Sequence, residues 1–88
     1  MTTKEVITKR NLKKYQLDRV IEDLQPYQQY IKEFKETEFP GRFITTEYLD
    51  KEARLKELES EKERIIKSLK KYERELERRE EERAKQEA

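Results

Sequence analysis

A basic stretch near the amino terminus also carries polar and aromatic side chains, Lys9-Arg10-Asn11-Leu12-Lys13-Lys14-Tyr15-Gln16-Leu17-Asp18-Arg19. Lys and Arg are the side chains that most often contact phosphates, and Asn, Gln and Tyr can reach base edges or stack on bases. The stretch therefore predicts a nucleic-acid contact, through Lys9, Arg10, Asn11, Lys13, Lys14, Tyr15 and Arg19. An ordinary solvated helix face would have the same composition, so that alternative stays open.

Residues for catalysis or metal binding are scarce. The chain has no His and no Cys, which removes the commonest general base, the thiol nucleophile and nearly all zinc ligands. Its single Gly cannot form a glycine-rich phosphate loop. The many carboxylates alternate with Lys and Arg, as on a solvated helix. We expect a non-enzymatic protein with no cofactor, no metal and no small-molecule substrate.

Composition and charge limit the class of protein further. Of the 88 residues 49% are charged and 32% hydrophobic, so one small domain with a thin core is expected, and self-association would bury more apolar surface. The net charge is only +1, but residues 1–19 carry +4, residues 20–50 carry −4 and residues 51–88 carry +1. The Lys70 and Lys71 side chains in the last segment are expected to be simply solvated.

The chain has no apolar run of the length that a membrane span or a signal peptide requires. A cytoplasmic protein without a membrane partner is expected. The abundance of Glu, Lys, Arg and Ile, with no Cys or His, is typical of thermophile proteins.

Apolar residues repeat every seven positions in both halves of the chain, which is typical of coiled-coil helices. The first half has Leu17, Leu24 and Ile31 with Val20, Tyr27 and Phe34 three positions later. The second half has Tyr48, Leu55, Leu69 and Leu76 together with Leu58, Ile65 and Tyr72. Lys62 is a polar exception at one of these seam positions, where such a residue can fix register and partner number.

Turn and capping residues set the predicted boundaries. Pro40-Gly41 fits a type II turn, with Phe39, Phe43 and Ile44 closing the turn end. The sequence predicts helix 1 at about 3–37, a turn at 38–45, helix 2 at about 46–80 and a frayed, charged tail at 77–88. Thr2 with Glu5 and Thr45 with Thr46 are the predicted N-terminal caps. Asn11 is a competing cap, and Pro26 should kink helix 1.

These patterns together predict an all-α protein in which residues 1–88 form a single domain. Its fold is a two-helix antiparallel coiled-coil hairpin, in which facing residues have numbers that sum to about 82. The tetrapeptide Leu-Lys-Lys-Tyr occurs twice, at 12–15 and 69–72. Leu69 and Tyr72 fall on the predicted seam. If helix 1 is continuous, Leu12 and Tyr15 point away from it.

Several apolar residues lie off the seam and predict a second interface, Ile7, Ile21, Tyr30, Leu49 and Ile66. Two hairpins packed as a homodimeric four-helix bundle would cover them, although scattered surface residues would look the same. The predicted function is that of a small interaction or regulatory protein that self-associates and contacts nucleic acid. The alternative is a protein-binding adaptor, inhibitor or scaffold with no nucleic-acid binding.

Overall fold

The computed structural model describes residues 1–36 and 45–87, which form two α-helices. Helix α1 is Thr3–Glu36 and helix α2 is Thr46–Glu87, with no strand in the described ranges. The prediction of an all-α, two-helix hairpin is confirmed. The turn was predicted at 38–45, and all of it except Thr45 lies outside the described residues, as do Phe39, Phe43 and Ile44, which were predicted to close it.

Helix α1 begins with the predicted cap. The backbone N–H of Glu5 donates to Oγ1 of Thr2 at 3.2 Å, and the N–H of Val6 donates to the Thr2 carbonyl at 3.1 Å. These bonds satisfy amides that the first helical turn leaves without partners. Residues 3–10 therefore belong to α1, and Asn11 lies inside the helix. The helix also continues through Pro26, while the predicted kink there stays a prediction.

Helix α2 begins in the same way at Thr45. The N–H of Tyr48 donates to Oγ1 of Thr45 at 3.1 Å. The helix ends at Glu87, beyond the boundary predicted near residue 80, and the tail is helical up to that residue. Ion pairs at helical spacing, Arg78–Glu82 at 2.9 Å and Arg83–Glu87 at 3.1 Å, stabilise this last part without apolar packing.

Contacts at both ends of the hairpin give the helices an antiparallel arrangement. Near the turn, the ring centroids of Phe34 and Tyr48 are 4.3 Å apart. Far from the turn, Arg79 donates from Nη1 to Oγ1 of Thr3 at 3.1 Å and from Nη2 to the Met1 carbonyl at 2.6 Å. The residue numbers sum to between 80 and 82 in these pairs, as the predicted register requires.

The core is a single seam between the two helices. The buried side chains all lie at predicted seam positions, and they are Val6, Val20, Leu24, Ile31, Tyr48, Leu58 and Ile65. Leu24 and Leu58 are only 2% exposed and pack with Val20 and Ile65 at the centre. Each fully buried side chain of this size contributes about 1.5–3 kcal/mol, so truncation at the centre should be the most damaging. Lys62 is half-buried at its seam position.

Aromatic rings close the seam toward the turn. The Lys51 ammonium lies 5.5 Å from the ring centroid of Tyr27 and 5.1 Å from that of Tyr30, within the range of a cation–π contact. Burial raises the pKa of the Tyr48 hydroxyl, and a hydrogen bond from Lys56 lowers the pKa of Glu52. This half of the hairpin therefore holds Lys51 against aromatic faces and Lys56 against a carboxylate.

Candidate nucleic-acid interface

The side chains predicted to contact nucleic acid from α1 are spread around that helix. Lys9, Asn11, Lys14, Tyr15 and Arg19 are exposed, whereas Arg10 and Lys13 are half-buried. Since α1 is continuous, the register places Arg10 opposite Tyr72 and Lys13 opposite Leu69. The structure therefore brings five of the seven to the surface and turns two toward α2.

Arg10 lies in an unusual environment for a cation. Its Nε is buried and has no hydrogen-bond partner, while its Nη2 donates to Oδ1 of the adjacent Asn11 at 3.3 Å. A buried donor without a partner costs roughly 1–3 kcal/mol. Arg10 is thus part of the seam, with one unsatisfied donor, rather than a free phosphate ligand, and its bond to Asn11 also occupies Oδ1 of that amide.

Tyr15 and Arg19 form an exposed pair one helical turn apart. Arg19 Nη1 donates to the Tyr15 hydroxyl at 3.4 Å, and the Arg19 guanidinium carbon lies 5.9 Å from the Tyr15 ring centroid. The hydrogen bond to Tyr15 is the main cause of a raised pKa for Arg19, and the nearby Asp23 and Glu22 carboxylates raise it further. These contacts orient the pair on the solvent side, but the two carboxylates weaken its positive potential.

A larger positive surface lies on α2, where the prediction from the sequence did not place it. With Leu55 and Leu58 at heptad positions a and d, positions b, c and f point away from α1. Between residues 64 and 78 these positions hold six exposed cations, which we call the α2 stripe: Arg64, Lys67, Lys70, Lys71, Arg74 and Arg78. Five of these six cations, all except Arg64, line a shallow surface depression together with Glu75. Lys70 and Lys71 are exposed, as expected for solvated side chains, but they also belong to this larger positive surface.

Most of the α2 stripe is not neutralised within the chain. Arg78 pairs with Glu75 at 2.5 Å and Glu82 at 2.9 Å, whereas the other five cations make no ion pair with a carboxylate of the described residues. The sequence does contain a signal for this surface, because Arg64, Lys71 and Arg78 recur every seven residues. The near-zero net charge of residues 51–88 conceals it, since Glu occupies most of the e and g positions of α2.

Folding the hairpin brings two positive segments side by side. Residues 1–19 carry +4, and residues 63–79, which lie opposite them, carry seven basic and four acidic side chains, or +3. We call these two segments the distal half. Residues 20–62, the turn half, carry a net charge of −4. Residues 80–87, the last part of α2, carry two basic and four acidic side chains, or −2. The distal half and the turn half thus have opposite net charges on a molecule that is 69 Å long, many times the Debye length of about 8 Å in physiological salt.

The residues predicted to mediate self-association lie in three places. Ile7 and Ile21 share heptad position e of α1 and are 38% and 36% exposed. Ile66 occupies position e of α2, and the e positions of antiparallel helices lie along the same edge. Tyr30 lies on the opposite edge against Lys51, and Leu49 points outward near the start of α2. One edge therefore carries three of the five residues.

The residues that the structure describes contain no group of three or more His, Cys, Asp or Glu side chains placed to hold a metal ion. Neither of the described helices is long and apolar enough to cross a membrane. Comparisons with models of known protein families, with curated proteins and with solved structures gave no match.

Proposed function

We propose that the protein is a non-enzymatic helical hairpin that self-associates and binds nucleic acid through the positive distal half. The observation that carries this proposal is the side-by-side placement of residues 1–19 and 63–79, which combines charges of +4 and +3. A surface of that sign attracts a polyanion and raises its rate of association. The exposed Lys9, Lys14 and Tyr15 from α1 supply further contacts beside it.

Self-association is proposed from the edge that carries Ile7, Ile21 and Ile66. A chain this small buries little apolar surface in one hairpin, and a second copy packed on that edge would cover these side chains. The separation of charge favours an antiparallel pair, because the distal half of one copy, at +7, would lie beside the turn half of the other, at −4.

The test is a titration of fluorescent nucleic acid with the protein at several salt concentrations. Binding to phosphates should weaken along a straight line of log affinity against log salt. The Lys9→Gln/Lys14→Gln variant should flatten that slope by up to about two units, since each lost phosphate contact removes about one. Lys32→Gln/Lys35→Gln is the matched control, because it removes the same charge from the turn half of the same helix. Absence of salt-sensitive binding by the wild type would refute the proposal.

A protein-binding adaptor is the second candidate, supported by the exposed side chains of α1. Leu12 is 53% exposed and Tyr15 is 58% exposed, on the side of α1 that faces away from α2. Tyr is among the residues that contribute most to protein interfaces. If wild-type protein shows no affinity for nucleic acid, a partner protein that contacts Leu12 and Tyr15 becomes the better proposal, and Leu12→Ala/Tyr15→Ala should abolish its capture.

A further inference from the structure

We infer that the α2 stripe is the principal phosphate-binding surface and that it binds duplex nucleic acid without regard to base sequence. This inference rests on the proposed function and names its surface and its ligand class. It also reverses the expectation from the sequence, which placed the contact on residues 9–19 of α1. On the folded protein those residues surround their helix, whereas the stripe lies on one outward side of α2.

The geometry of the stripe suits an extended, regular anion. Arg64, Lys71 and Arg78 share one heptad position, and Lys67 and Arg74 share the neighbouring one. An α-helix rises about 1.5 Å per residue, so the stripe is about 21 Å long. A duplex presents one phosphate per about 1.7 Å of its axis, or about 12 over that length, of which roughly half face one side. Six cations therefore meet about six phosphates.

The chemistry of the stripe excludes the other common polyanionic targets. Positions b, c and f between residues 63 and 78 hold only Lys, Arg and Glu. Single-strand binding uses aromatic rings on which bases stack, and this surface offers none. Membrane-surface helices need an apolar face beside the cations, but here the apolar face is the seam with α1. Base reading relies largely on bidentate amides and on guanidinium groups held in place. The stripe has no Asn or Gln, and of its three arginines only Arg78 is held, by Glu75 and Glu82.

The charges that flank the stripe restrict how a duplex can approach it. Beside the stripe, position e carries Ile66 and Glu73 and position g carries Ser68 and Glu75, while Glu77 lies at position b on the outward side. These three carboxylates repel phosphates, so they restrict the approach of a duplex near Arg74 and Arg78. Since five of the six cations have no intrachain ion pair among the described residues, binding does not require them to give up a partner.

The decisive experiment compares three variants by fluorescence anisotropy over a salt series. The stripe variant is Lys67→Gln/Lys71→Gln/Arg74→Gln. The matched control, Lys32→Gln/Lys35→Gln/Lys56→Gln, removes the same charge from the turn half. The α1 variant is Lys9→Gln/Lys14→Gln. The probes are a short DNA duplex, the same duplex as RNA, its separate strands and a second duplex of unrelated sequence.

With six phosphate contacts from the stripe and up to two from Lys9 and Lys14, the wild-type slope should lie between about −5 and about −7, and the stripe variant should flatten it by about three units. Its affinity for duplex should fall at least about tenfold at low salt, while the control should retain the wild-type slope. The two duplex sequences should bind equally, and both should bind more tightly than the single strands. Comparison of the DNA duplex with the RNA duplex shows which of the two kinds of duplex the protein prefers.

Other outcomes separate this inference from the function on which it rests. If the wild type binds duplex and only the α1 variant flattens the dependence of log affinity on log salt, the stripe inference is wrong and the proposed function stands. Preferred binding of single strands would also overturn it. If the wild type binds no nucleic acid, both fail. Far-UV circular dichroism checks folding, and Arg64→Gln/Lys70→Gln, which should flatten the slope by about two units, provides an independent test of the same surface.

Discussion

The two copies of Leu-Lys-Lys-Tyr have the same sequence and opposite environments. In the first copy Leu12 and Tyr15 are 53% and 58% exposed. In the second copy Leu69 and Tyr72 are half-buried in the seam, and the lysines between them belong to the outward stripe. The first copy therefore displays its apolar residues, and the second displays its cations.

The difference arises from the phase of each copy relative to the seam. Leu69 falls at heptad position a, whereas Leu12 falls at c, because Leu17 and Val20 set the phase of α1. Local composition alone would assign the two tetrapeptides the same role. On a hairpin of regular helices, therefore, the heptad position of a residue decides whether its side chain is available to a partner, and the local tetrapeptide sequence does not.

The strongest test of this comparison is to truncate each copy. Leu69→Ala/Tyr72→Ala removes seam packing and should lower the free energy of unfolding by about 3 kcal/mol. Leu12→Ala/Tyr15→Ala should change it by less than about 0.5 kcal/mol, since exposed residues contribute little and Ala favours the helix. Urea unfolding followed by far-UV circular dichroism measures both. Equal destabilisation by the two variants would mean that Leu12 and Tyr15 are covered in the assembled protein.

Heptad spacing was enough to predict most of the fold. Each buried residue of the described ranges lies at a heptad position of the predicted seam, with Val6 two heptads before Val20. The caps at Thr2 and Thr45 were recognisable from short-range patterns. The end of α2 could not be predicted in this way, because ion pairs such as Arg83–Glu87 extend the helix beyond the last apolar heptad position. Such pairs are individually weak, so no single residue indicates where the helix ends.

The candidate site was harder to predict than the fold. A run such as residues 9–19 draws attention because its cations are adjacent in sequence. Adjacent residues on a helix point in different directions, and Arg10 and Lys13 accordingly turn toward α2. The cations of the α2 stripe are separated in sequence by Ile, Ser, Leu, Tyr and Glu residues, most of which project elsewhere. They become one surface only when the helix and its seam are placed, which composition and local charge counts cannot do.

The next prediction tests whether the apolar edge or the displayed first copy is the self-association surface. Ile21→Glu and Ile66→Glu should each weaken a dimer at least about tenfold, because each places a carboxylate without a partner in the interface. Leu12→Glu is the control, since Leu12 lies off that edge. Sedimentation equilibrium measures the dissociation constants. A folded wild type that is monomeric at every concentration would eliminate the proposed dimer, and loss of dimer only with Leu12→Glu would move the interface to the first copy.

Arg10, which the register places opposite Tyr72, provides a test at the level of one side chain. Arg10→Met should raise the free energy of unfolding by about 1 kcal/mol, because it removes a buried Nε without a partner and keeps a long side chain in the seam. Lys9→Met at the exposed neighbouring position should have almost no effect. Thermal unfolding followed by circular dichroism compares them. Destabilisation by Arg10→Met would show that the guanidinium supports the seam after all.

The smallest expected effect concerns Glu75, one turn after the second copy. Arg78 and then Arg79 lower the pKa of this carboxylate to about 2, and Arg79 also holds Met1 and Thr3 of the other helix. A folded-state pKa below the usual 4.5 stabilises the fold above about pH 4.5, and that contribution is lost as the pH falls toward 2. Since the ion pairs are partly exposed, the effect on stability should be slight.

Glu75→Gln should therefore reduce the loss of thermal stability between about pH 5 and about pH 3, whereas Glu77→Gln, at an outward position, should not. The carboxyl chemical shift of Glu75, followed by NMR, reports the pKa directly. A midpoint near 4.5 would mean that Arg78 and Arg79 do not hold this carboxylate in solution, and Arg79 would then contact Met1 and Thr3 without support from Glu75.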